Sequence, residues 1–130
     1  MSAHEQLFPT RWNDNDQYAH VNNVVYYEAM DTTINTWLIG AGLRESGTIA
    51  LCVSSGCEYH APISFPDVMR VVLRTGRVGT SSVTWNLELH RGGDGDPVAT
   101  GRFVHVFVDP GTRRPVPIPS ALREAVERLV

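Results

Sequence analysis

In the run from Ser82 to Arg91 apolar and polar residues alternate without a break as far as His90. Val83, Trp85, Leu87 and Leu89 fall on one side, and Ser82, Thr84, Asn86, Glu88 and His90 on the other. A period of two belongs to a β-strand with one buried and one wetted face, and no helix can satisfy it. Val68 to Val78 repeats the pattern, with Met69, Val71 and Leu73 set against Arg70 and Arg74, and only Gly79-Thr80-Ser81 separates the two runs. The pair therefore predicts an antiparallel hairpin. The Gly92–Asp96 stretch supplies the next turn, and Phe103 to Val108, apolar at nearly every position, reads as a central strand buried on both faces. Strand signals run from Ile49 to Asp109, and a short partial strand lies at Leu7 to Trp12, where Pro9 confines it to an edge.

One helix precedes these strands. From Asn22, a natural N-cap, Tyr27, Met30, Ile34, Trp37, Leu38 and Ala41 recur at three- and four-residue spacing, while Glu28, Asp31 and Asn35 fall elsewhere. The spacing predicts about 18 residues of helix, roughly 27 Å at 1.5 Å per residue, ending near Gly40 and Gly42. After the prolines at 110, 115, 117 and 119, Ser120 is expected to cap a short last helix with Leu122, Val126 and Leu129 in line. One long helix and an antiparallel run of strands make an α+β architecture in which the sheet wraps the helix, and 130 residues suit a single domain, 1–130.

Composition narrows the function. With a formal charge of −3 and one adjacent basic pair, Arg113-Arg114, the chain lacks the basic surface of a nucleic-acid binder. All eleven basic residues are Arg, which excludes lysine Schiff-base chemistry and leaves Arg, hydroxyls and backbone to hold any anion. No run approaches the roughly 20 apolar residues of a membrane span, and the start MSAHEQLFPTRW lacks the blocks of a signal peptide, so a cytoplasmic protein is expected. Cys52 and Cys57, five apart in one strand, should point to opposite faces as reduced core thiols. His60, His90 and His105 are scattered over strands without zinc-like spacing, and there is no GxSxG elbow, so neither a metal site nor a serine nucleophile is expected.

The stretch Arg11 to Glu28, RWNDNDQYAHVNNVVYYE, holds the chemistry. It sets Asp14 and Asp16 in a polar segment just before a helix start, so a carboxylate and unpaired backbone N–H groups share one space. Such a place suits an electrophilic carbonyl. Read from the residues alone, Asp16 serves either as a reacting carboxylate or as a loop residue capping the helix, and Asp14 as a turn-former. His20 is either a general acid or base or a hydrogen-bonded positioning group, and Tyr26 and Tyr27 read as core or pocket wall.

The same residues resemble the opening motif of the hotdog-fold acyl-CoA thioesterases related to 4-hydroxybenzoyl-CoA thioesterase, in which RW-x-D-x-D runs into HVNN and then a tyrosine. The EYHAPISFPD and FVHVFVDPGTRRPVPIP stretches extend the likeness over nearly the whole chain. The resemblance implies a hotdog fold and hydrolysis of an acyl-CoA to free acid and CoA, with no metal or redox cofactor, CoA being part of the substrate. It maps the family's catalytic acid onto Asp16, as nucleophile or base, and makes the Asn23 backbone N–H the oxyanion donor, with His20 beside them and Tyr26 among the substrate-binding groups. It sets the coenzyme against Arg77, Thr80, Ser81 and Ser82, although basic residues that some members carry in that turn are replaced here. It also implies a homodimer or homotetramer with each site at a protomer interface. Ala19 stands where many members carry Gly, which matters only if that residue is left-handed. The alternatives are a hotdog dehydratase or hydratase acting on acyl thioesters, and a non-catalytic acyl-CoA binding dimer.

Overall fold

The computed structural model describes residues 3–93 and 95–130. Its elements are β1 (His4–Pro9), a single 3-10 turn at Trp12–Asp14, α1 (Asn23–Gly40), β2 (Ile49–Tyr59), β3 (Val68–Val78), β4 (Ser82–Arg91), β5 (Ala99–Val108) and α2 (Ser120–Arg128). The five strands form one sheet in the order β1-β3-β4-β5-β2, every pair antiparallel. Five antiparallel strands with two helices fit a hotdog thioesterase fold. No helix is long and apolar enough to cross a membrane.

Period-two alternation does what it must in β4. Val83, Trp85, Leu87 and Leu89 are buried, and all four join one core cluster with Ala29, Met30, Ile34 and Leu38 of α1. The helix therefore lies on a single face of the sheet. At β5 the packing is tight, since a Cβ built on Gly101 would stand 2.1 Å from the Met30 sulfur, and glycine leaves room for that side chain. Trp37 packs edge-on against Trp85, with ring centroids 5.6 Å apart. The Trp85 indole in turn donates to His105 Nδ1 over 2.9 Å.

α1 begins and ends where the capping pattern places it. Asn22 Oδ1 accepts from Val24 N at 3.0 Å, and Gly42 follows the last turn with φ +103. The buried stripe of α1 is rotated from the expected one: Val25, Tyr26, Ala29 and Thr33 are buried with Met30, Ile34 and Leu38, whereas Tyr27 is only half-buried. Small residues at 29 and 33 let that face approach the sheet.

Other expectations are corrected. β1 lies earlier than Leu7–Trp12 and ends at Pro9, since Trp12 belongs to the 3-10 turn. β5 is an interior strand, as expected, lying between β4 and β2, but Val104 and Val106 are only half-buried, so it is not covered on both faces. The cysteines are not on opposite faces. A bulge between Cys52 and Ser54 adds a residue to β2, which sets Cys52 opposite His105 and Cys57 opposite Gly101, positions of the same parity in β5. Both are free, and Cys52 is exposed on the edge strand and is no core thiol. Ser120 makes no capping hydrogen bond, and Pro119 holds the N-cap position of α2, although Leu122, Val126 and Leu129 are buried as expected. Asp94, within the expected Gly92–Asp96 turn, lies outside the described residues.

Candidate active site

Asp14 and Asp16 are two residues apart and meet different fates. Asp14 is buried, and both its oxygens are spent. Oδ2 accepts from Arg11 N at 2.7 Å, and Oδ1 accepts from Arg11 Nε at 3.1 Å and from a terminal guanidinium nitrogen at 2.8 Å. Burial raises the Asp14 pKa, but the hydrogen bonds and charge of Arg11 outweigh it and hold the carboxyl below its ordinary value. Arg11 also reaches Glu28 of α1 at 3.5 Å, tying the turn to the helix. Asp14 is thus the structural member of the pair.

Asp16 opens a tight loop closed by a bridge between Asn15 and Val21. Its Oδ1 accepts from Tyr18 N at 2.8 Å and from His20 N at 3.4 Å, and Oδ2 has no hydrogen bond among the described residues. It does not cap α1, because Asn22 does that. The loop is pinned from the other side. Val21 N donates to Ile63 O at 2.7 Å, Phe65 N to Asn15 Oδ1 at 3.0 Å, and Ser64 Oγ to Ala19 O at 2.6 Å. Ala19 takes φ +61, the left-handed conformation in which glycine is usual, at a cost of roughly 1–2 kcal/mol.

These anchors bring Asp16, His20, Asn23 and Tyr26 to one cleft of about 390 Å³. The first turn of α1 opens toward it. With Val24 N taken by the Asn22 side chain, Asn23 N–H has no hydrogen bond among the described residues, and it lies at the positive end of the helix. The opposite wall comes from the end of β2 and the loop after it: Tyr59, His60, Ala61 and Pro62. Tyr26 and Tyr59 meet edge to face, with centroids 4.9 Å apart and planes at 89°. Partial burial, then the neighbouring Cys57 thiol, push the Tyr59 phenol well above its ordinary pKa, and burial raises those of Tyr26 and Cys57. The two tyrosines line the cleft as neutral phenols. His60 Nε2 lies 3.1 Å from Thr100 Oγ1.

Tyr59 and His60 did not stand out as site residues in the sequence. They lie in the EYHAPISFPD stretch, some forty residues from Asp16, and only the strand end brings them back to the helix start. His90 and His105 lie elsewhere. His105 is buried beside Trp85, and His90 Nε2 is 3.0 Å from Glu88. Among the described residues no group of three or more His, Cys, Asp or Glu is arranged to hold a metal ion.

Arg77, Thr80, Ser81 and Ser82 form or border the β3–β4 hairpin, away from this cleft. Leu89 pairs through Ala99 to Tyr59 at the cleft end, and Val83 sits at the hairpin, so the two are separated by about 20 Å of strand at roughly 3.3 Å per residue. The turn is largely occupied by its own chain. Ser81 O accepts from Phe107 N at 2.7 Å, Thr80 O from Ile118 N at 2.9 Å, and Gly79 O from the Arg123 guanidinium at 2.6 Å. Arg123, from α2, is a cation at this turn that spacing alone did not reveal.

Residues 10–126 match the thioesterase-like superfamily, and the chain belongs to that family. The PA5185 protein of Pseudomonas aeruginosa is 48% identical over 97% of this chain and 90% of its own, with a TM-score of 0.91. Slr0204, a 1,4-dihydroxy-2-naphthoyl-CoA thioesterase from Synechocystis, shares the fold at 15% identity, covering 98% of this chain and 97% of its own with a TM-score of 0.85. The SAV2348 protein of Staphylococcus aureus, solved in complex with CoA, is 16% identical over 98% of this chain and 83% of its own, with a TM-score of 0.90.

Proposed function

We propose that the chain hydrolyses an acyl-CoA thioester to the free acid and CoA in the Asp16 cleft. The observation that carries the proposal is an unengaged Asp16 oxygen and an unengaged Asn23 N–H lining the same space. Thioester hydrolysis needs one group that delivers an oxygen nucleophile to the carbonyl carbon and another that receives the oxygen gaining negative charge. Asp16 acts in one of two ways. As base it takes a proton from water while the water oxygen bonds to carbon, the C–S bond breaks, and the thiolate departs and is protonated. As nucleophile it bonds to the carbonyl carbon, the C–S bond breaks, the CoA thiolate leaves and is protonated, and water then cleaves the acyl-aspartyl anhydride to the free acid and the carboxylate. In either case Asn23 N–H donates to the carbonyl oxygen, and His20, whose N–H reaches toward Asp16 Oδ1, positions the loop.

The thioesterase-like family and the CoA complex of SAV2348 support a CoA thioester as substrate. We place the coenzyme phosphates at a Gly79–Ser82 hairpin, with Arg77 as a charge partner. Since that hairpin is remote from the cleft of its own chain, the site is completed by a second copy in a homodimer or homotetramer. β2, an exposed 11-residue edge strand, offers a physical reason to associate. The reading sets the protein in the cytoplasm, in keeping with two free cysteines. A thiol-release assay of the purified protein over a panel of acyl-CoAs tests the function. Turnover with stoichiometric free acid is expected. Addition or loss of water with the thioester intact would make it a hydratase or dehydratase, and binding without either would make it a carrier.

A further inference from the structure

The cleft is shallow for a reason the residues supply. Tyr26 belongs to α1 and Tyr59 to β2, and their edge-to-face contact spans the gap between helix and sheet at the inner end of the cleft. One helical turn beyond Tyr26, Met30 seals the same gap against Gly101, the cross-strand neighbour of Cys57. No channel runs under α1 past these side chains, because Met30, Ala29 and Ile34 are fully buried. Asn23 and Tyr26 are three residues apart, about 4.5 Å of helical rise. The tyrosine pair is thus reached within one helical turn of the oxyanion donor, which favours a short acyl chain or a single ring over a long chain. The volume, about 390 Å³, must also hold the thioester and the end of the pantetheine arm.

We propose that Tyr59, braced by Tyr26, is the end wall of the acyl pocket and restricts the enzyme to short-chain or single-ring acyl groups. The inference rests on the thioesterase reading above. Within the protomer Tyr59 is 42% exposed, so its truncation costs the chain's own core little packing, whereas Tyr26, at 3%, is part of that core. The wall depends on the ring and not on the hydroxyl, and Tyr59→Phe keeps it.

The test is the dependence of kcat/KM on acyl length, from butyryl- to palmitoyl-CoA with benzoyl-CoA included, for wild type, Tyr59→Ala and Tyr59→Phe. Wild type should lose at least 10-fold between hexanoyl- and decanoyl-CoA. In Tyr59→Ala the decanoyl-to-butyryl ratio should rise 10-fold or more, and Tyr59→Phe should restore the wild-type ratio. A wild-type enzyme that turns over palmitoyl-CoA as well as butyryl-CoA, or a Tyr59→Ala ratio equal to wild type, overturns the end wall while leaving thioester hydrolysis in place. No turnover at any length overturns both.

Discussion

Two polar turns of this chain invite a ligand, and they differ in how much of their hydrogen-bonding capacity the fold has already used. In the Gly79–Ser82 hairpin the carbonyls of Gly79, Thr80 and Ser81 are all occupied, by Arg123, Ile118 and Phe107. In the Asp16–Asn23 loop the chain spends its bonds on the frame, through Asn15, Ala19 and Val21, and leaves Asp16 Oδ2 and Asn23 N–H open. A buried polar group left unpaired is costly, so groups left open at the edge of a cleft are the ones with capacity to bind. On the proposed reading the hairpin contributes surface and a few charges, and the loop contributes chemistry.

The contrast predicts a ranking of effects. Asp14→Ala should cost most in stability, because it orphans Arg11 N and releases the turn from the helix. A loss of about 2 kcal/mol, or a Tm lower by roughly 6–8 °C, is expected by thermal unfolding. His20→Ala keeps the backbone N–H that reaches Asp16 and removes only the ring lining the cleft, so kcat should fall by about 10-fold or less. Equality with the loss at Asp16 would give His20 a direct part in the chemistry. His105 should set an acid limit on stability. Burial lowers its pKa in the fold, and the Trp85 indole needs Nδ1 unprotonated, so the unfolded chain takes up the proton first. Its contribution is therefore whole above about pH 6.5 and declines as pH falls toward the depressed folded value. Denaturant titrations from pH 8 to 5 should show that decline in wild type and a flatter profile in His105→Gln.

Ala19→Gly relieves a left-handed residue but enlarges the unfolded ensemble, so a gain of only a few tenths of a kcal/mol is expected in unfolding midpoints. Arg77→Ala should have the smallest effect. An exposed cation beside the hairpin is screened by salt, and KM should rise by about twofold at low ionic strength with kcat unchanged. A larger effect at Arg77 than at His20 would reverse the ranking of the two turns.

Local periodicity carried most of the fold. The alternation in β4 and the capping of α1 by Asn22 could be read because each is decided by neighbours in sequence. The β2 bulge, the early position of β1 and the half-covered faces of β5 could not, since pairing with distant strands fixes them. The site divides in the same way. Asp16, His20 and Asn23 share one loop and were legible together. The Tyr26–Tyr59 contact and the Arg123 contact join segments 33 and 44 residues apart, and no spacing rule connects them. Ala19 sits between these cases: the sequence marked the position, and only its dihedral showed that the missing glycine matters.

Asp16 is where the account stands or falls. Asp16→Asn keeps the shape and the hydrogen bonds to Tyr18 N and His20 N but removes the group that attacks or accepts a proton. Thiol release from the best acyl-CoA should fall by about 10²-fold or more in kcat, with Tm and oligomeric state at wild-type values. A variant that hydrolyses that substrate at the wild-type rate would make Asp16 a loop-forming residue and move the chemistry elsewhere.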